Sequence, residues 1–174
     1  MLEIQIIFNI LLSKIGGMSM ACDVKQSKVS IGAAGEHLVA AELERRGYNV
    51  GFTGKNAQLV DLLAQHRESL KTISIQVKTT VVKARSWSLN VKNEKVYDPS
   101  FVYIFVKIIE DQKPEFFIVP SEVVAKTLAS DFKKWIETPG KNGQPHDPEN
   151  TLRKFDDPDG KFLNKWENLE YWRK

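Results

Sequence analysis

Cysteine occurs once in the 174 residues, at Cys22. A single thiol excludes a disulfide framework and fits a reducing cytoplasm. Histidine is nearly as scarce. His37, His66 and His146 stand far apart, without the ligand spacing of a Cys/His zinc site. Long apolar runs are missing as well, and "IQIIFNILL", Ile4 to Leu12, is too short to span a bilayer. Glu3 precedes it in place of a positive charge and no cleavage site follows, so it does not read as a secretory signal. No phosphate loop is present: "GFTGKNA" and "TPGKNG" have Gly-Lys without the hydroxyl residue and the glycine spacing. "DDPDG", Asp156 to Gly160, fails as a calcium loop, because counting from Gly160 puts Phe155 and Trp166 at the first and last chelating positions. It reads as a turn. Internal repeats and interdomain linkers are also absent.

What is there describes one globular domain, with 42% apolar and 27% charged residues. Residues 1–20 read as an apolar extension, with Met18 or Met20 as alternative starts. A single domain of 21–174 follows, with its core at about 30–130 and a Trp-rich tail at 150–174. The formal charge is only +3, but Lys71 to Lys95 holds six basic residues and one acid, a local +5 that leaves −2 for the rest. A run like this is most often a solvated strand face. The functional alternative is a basic groove tracking phosphates through Lys83, Arg85, Lys92 and Lys95.

Hydrophobic periodicity gives the elements. A helix is expected from a Ser30 cap to Arg46, with Gly47 in a left-handed cap, then a strand over Tyr48 to Thr53. "GAAG", Gly32 to Gly35, reads as a close approach of that helix to a sheet. Leu59 to Gln65 and Lys71 to Thr79 are strand-like around the break "HRESLK". Trp87, Leu89 and Val91 alternate, "FVYIFVKII" suits a buried strand, and "EFFIVP" pairs back onto it. Ser121 is expected to cap a helix to about Ala129. Thr138 to Glu149 reads as a loop, and "FLNKWENLEYW", Phe162 to Trp172, as a short amphipathic helix.

One constellation stands out. In "TISIQVKTT" the aliphatics Ile73, Ile75 and Val77 alternate with Ser74, Gln76 and Lys78, so Gln76 and Lys78 share a face. A turn centred between Glu68 and Ser69 makes 61 + 76 equal 68 + 69, which sets Asp61 opposite Gln76 at roughly 5.5 Å. Asp61 lies in the apolar run "LVDLLA", where an unpaired carboxylate is costly. A carboxylate, an amide oxygen and the Val77 carbonyl form a hard-oxygen set suited to Mg²⁺, with Lys78 aimed at the same place and Glu36 on the flank of the first helix. The plainer alternative is a structural Asp61–Lys78 salt bridge.

The order of these parts, a helix with Glu36, a strand, Asp61, then Gln76-Val77-Lys78, a further strand and a helix, resembles the PD-(D/E)XK nuclease superfamily over about Ser30 to Ala129. The resemblance implies an α/β, restriction-endonuclease-like fold with a central mixed sheet flanked by helices. It implies Mg²⁺- or Mn²⁺-dependent hydrolysis of DNA phosphodiester bonds, with Asp61, Gln76, Val77 and Glu36 at the metal and Lys78 as the catalytic lysine. The departure is Gln76, where most members carry an acid. An amide oxygen still coordinates, but a charge interaction of about 4 kcal/mol at 4 Å and an effective dielectric near 20 is lost. An active nuclease and a catalytically silent nucleic-acid-binding or protein-interaction module therefore both stay open. So do a monomer and a homodimer, since cutting two strands needs two sites.

Overall fold

The computed structural model describes residues 27–54 and 59–171. The expected extension, 1–20, lies outside the described residues. The first helix, α1 (Lys28–Arg45), starts one turn earlier than the sequence suggests: Ser27 is the cap, its hydroxyl accepting from the Ser30 N–H at 3.1 Å. Ser30 sits inside the first turn and its hydroxyl meets that of Ser27. Gly47 ends the helix at φ +85°, a conformation that costs a residue without Cβ nothing.

Five strands build the main sheet: β1 (Tyr48–Phe52), β2 (Leu62–His66), β3 (Thr72–Thr80), β5 (Phe101–Lys107) and β6 (Glu115–Pro120), in the order β1-β2-β3-β5-β6. The β3–β5 pair is parallel and the others are antiparallel. A sheet of this mixed kind must be covered on both faces. Strand β5 shows how: Val102, Ile104 and Val106 point to α1, whereas Phe101, Tyr103 and Phe105 point to the second helix, α2 (Ser121–Glu137). Each fully buried side chain of this size contributes about 1.5–3 kcal/mol. The result is an α/β fold with a central mixed sheet between helices, as the sequence implies.

Three elements differ from expectation. The Trp87–Leu89 strand, β4 (Ser86–Asn90), does not join the main sheet but pairs with β7 (Leu152–Asp156), a strand the sequence does not announce. Val91 belongs to a short 3-10 helix, Val91–Lys95. Helix α2 runs to Glu137, well past Ala129, and Ser121 does not cap it; its hydroxyl donates to the Asp98 carbonyl at 2.7 Å and accepts from the Asp98 N–H. In the tail, a 3-10 helix (Trp166–Leu169) seats Leu169 in the core on the α1 side. Among the described residues no helix is long and apolar enough to cross a membrane.

Candidate functional site

The turn arithmetic gives the β2–β3 register correctly up to its last pair, Leu62 opposite Ile75. Asp61 then departs from the ladder. Its N–H bonds the Ile75 carbonyl, at 2.8 Å, while its own carbonyl receives the N–H of Thr53, the residue after β1, at 3.0 Å. A regular strand residue sends both groups to the same neighbour. Asp61 sends one to each, so two residues oppose Ile75, the pattern of a β-bulge. The bulge moves Asp61 off the position across from Gln76. The Asp61 Oδ2 accepts instead from the Val77 N–H at 2.7 Å. Because N–H and C=O of an extended residue lie on one edge, the Val77 carbonyl emerges on the same side, beyond the end of β2.

Glu36 joins this corner from α1. Its carboxyl titrates above the ordinary carboxylate range, first because of burial and then because of the negative charge of Asp61; His37 and Lys78 pull it down. Asp61 and Lys78 are therefore each within electrostatic reach of Glu36. Neither carboxylate has a salt bridge among the described residues. The Asp61–Lys78 salt bridge, the plainer alternative, does not form. No three His, Cys, Asp or Glu side chains among the described residues converge on one point. The corner holds two half-buried like charges and a backbone carbonyl, a set that a divalent cation satisfies and that water would have to complete.

Gln76 occupies the other face of β3, 6% exposed, beside Tyr103 of β5. Its Oε1 accepts from Asn93 Nδ2 at 3.1 Å, and the same nitrogen reaches the Tyr103 hydroxyl at 3.0 Å. Asn93 comes from the short helix Val91–Lys95 and is 3% exposed. Sequence reasoning passed over it, since an asparagine between strands ordinarily marks a turn. The one available signal was the helix-capping pattern Asn90-x-x-Asn93.

The basic residues divide. Lys83 is exposed; Arg85 is tied by two 3.2 Å bonds to Glu115 and by a third to the Pro158 carbonyl. They line a shallow 560 Å³ depression together with Lys107 and Lys154, which lie outside the basic segment and were not expected there. Lys92 and Lys95 are exposed on the 3-10 helix Val91–Lys95.

A scan of the sequence against protein-family models finds no match, and a search of the curated proteins finds none. Among solved structures the chain is similar to a bacterial homing endonuclease, at 12% identity and a TM-score of 0.47, over 81% of this chain and 89% of that one. It is also similar to the Holliday junction resolvase Hjc of Archaeoglobus fulgidus, at 12% identity and a TM-score of 0.42, over 72% and 84%.

Proposed function

We propose that the chain is a metal-dependent nuclease that hydrolyses DNA phosphodiester bonds. The observation that supports it best is the corner at the end of β2. There the Asp61 carboxylate rests on the Val77 edge, 2.7 Å from its N–H, and Glu36 feels the charges of both Asp61 and Lys78. Asp61, Glu36 and the Val77 carbonyl would hold Mg²⁺ or Mn²⁺ through oxygen atoms. When bound, such an ion polarises a phosphoryl oxygen and acidifies a water. The rest falls to the chain itself. Val77 N–H fixes the Asp61 rotamer, so one carboxylate oxygen is occupied and the other is free to ligate. Lys78, without an ion-pair partner among the described residues, orients the attacking water and stabilises the charge that develops on the phosphoryl group. The exposed cations Lys83, Lys92 and Lys95 hold backbone phosphates.

The test is cleavage of plasmid, branched and single-stranded DNA across a titration of Mg²⁺ and of Mn²⁺. Wild type should cut. Lys78→Ala should lose about a hundredfold or more in rate, as removal of one transition-state donor does, and Asp61→Asn should lose metal response. Activity that ignores metal and both substitutions would refute the site. A second reading is favoured by one specific observation: a neutral Gln76 with its oxygen already engaged by Asn93 leaves only two carboxylates. On that reading the chain is a silent nucleic-acid-binding module. It would bind DNA but leave all three substrates intact in every variant.

A further inference from the structure

The two ends of an amide side chain are alike in shape, and only partners of known polarity tell the accepting end from the donating one. Around Gln76 that chain of partners begins at a backbone N–H. Asn90 N can only donate, and it bonds Asn93 Oδ1 at 2.9 Å. Asn93 therefore turns its Nδ2 the other way, with one hydrogen for Gln76 at 3.1 Å and one for the Tyr103 hydroxyl at 3.0 Å. Gln76 has to meet that donor with its oxygen, which leaves its Nε2 pointing away from Asn93. Among the described residues no group takes this Nε2, and it is not one of their buried unpaired atoms, which are Thr79 Oγ1 and Trp166 Nε1. The donating end is left without a partner among the described residues, on a side chain that keeps only 6% of its surface exposed. Lys78 lies two residues along the same face of β3. The site is divided by polarity: Asp61, Glu36 and Val77 supply oxygen acceptors at the bulge, and Gln76 Nε2 supplies a donor on the face of β3 from which Lys78 also starts.

We propose that Gln76 is a hydrogen-bond donor to an anionic substrate oxygen, a non-bridging oxygen of a nucleic-acid phosphodiester, and is not a metal ligand. Asn93 is the positioning residue that fixes this polarity. The identity of the substrate rests on the nuclease reading; the polarity of the amide does not.

Asn93→Asp reverses the network. Its first carboxylate oxygen still accepts from Asn90 N–H, but the second now also accepts, so Gln76 turns its Nε2 inward and presents Oε1 to the site. Two binding measurements on folded variants, checked by thermal melting, read the outcome: affinity for a short DNA duplex in EDTA, and affinity for Mn²⁺ without DNA. Gln76→Ala should weaken the metal-free duplex about tenfold, the loss of one hydrogen bond to a charged group, and leave Mn²⁺ binding unchanged. Asn93→Asp should lose duplex affinity to the same extent and bind Mn²⁺ more tightly, and neither change should appear when Gln76 is already alanine. Gln76→Glu should tighten Mn²⁺ and weaken the metal-free duplex. Loss of Mn²⁺ affinity in Gln76→Ala with duplex affinity intact would overturn the proposal. Nuclear magnetic resonance reads the polarity without any ligand: the Gln76 side-chain NH₂ should exchange with water and show no contact with the Asn93 amide. A protected NH₂ in contact with Asn93 overturns the polarity. A wild-type chain that binds neither duplex nor Mn²⁺ overturns the nuclease reading, and with it the substrate named here.

Discussion

Glu115 gathers two cations on one carboxylate. Arg85 approaches both of its oxygens at 3.2 Å, and Lys107 Nζ stands 3.2 Å from Oε2. The hydrogen bond from Arg85 is the main reason that this carboxyl titrates below its ordinary range; Lys107 adds to it, and burial works the other way. A carboxyl depressed in the fold stabilises the fold while it is ionised. Its contribution is complete above the unfolded value and is lost as pH falls through the depressed one. Glu115→Gln should therefore cost about 1–3 kcal/mol in urea unfolding at neutral pH, as hydrogen bonds to charged groups do. The gap to wild type should close in strong acid; a gap that stays constant with pH would show that packing, not charge, is what the substitution removes. The same geometry makes Arg85 a poor probe of nucleic-acid contact. Arg85→Ala frees Glu115 and disturbs the strand end, so Lys83 is the cleaner substitution on that side.

At the scale of elements, the position of α1 depends on a missing atom. A Cβ on Gly35 would lie 1.9 Å from Thr79 Oγ1 and 3.0 Å from Thr79 Cβ, so the helix rides directly on β3. Gly35→Ala should destabilise by about 1–3 kcal/mol, the usual cost of overpacking, and Thr79→Ala in the same chain should recover part of it, because Cβ at residue 79 remains. Chemical denaturation of the two single variants and the double variant measures this; full additivity would mean the two residues do not touch. That close approach was legible in "GAAG", because glycine in a helix costs propensity and needs a reason. The β2–β3 register was legible too, since a tight turn and period-two burial leave one solution. The bulge at Asp61 was not. Nothing in "LVDLLA" marks it, because it arises where β1 and β3 compete for the same backbone. Asn93 was hidden for a similar reason: its partners lie in β3 and β5, and its role exists only once those strands are parallel neighbours.

For the whole molecule, binding to DNA should be set by exposed cations more than by any one residue. Log affinity should fall linearly with log salt, and each phosphate contact removed should flatten the slope by roughly 0.9. Lys83→Ala and Lys154→Ala test the depression beside β4; Lys92→Ala and Lys95→Ala test the short helix. A slope unchanged by one of these pairs takes that surface out of the interface. Strand β7 was not legible in the sequence, for a physical reason. In "LRKFD" the inward residues are Arg153 and Phe155, and an inward arginine breaks the apolar alternation. Its charge is answered by Glu94 and by the ring of Phe132, 3.3 Å from the guanidinium carbon, neither of which neighbours it in sequence. Helix α2 was cut short for a related reason, since its last turns carry mainly charged residues around Trp135.

Pairing β4 with β7 has a consequence for biosynthesis. All five strands of the main sheet are complete by Pro120, yet the partner of β4 ends at Asp156. On the ribosome the aromatic wall of Tyr103, Phe105 and Phe117 emerges before Phe155, which stacks on Phe105 at 4.7 Å, can close over it. A nascent chain stalled between these points would hold a formed sheet with one side incompletely roofed, and that is the interval in which a chaperone would find it.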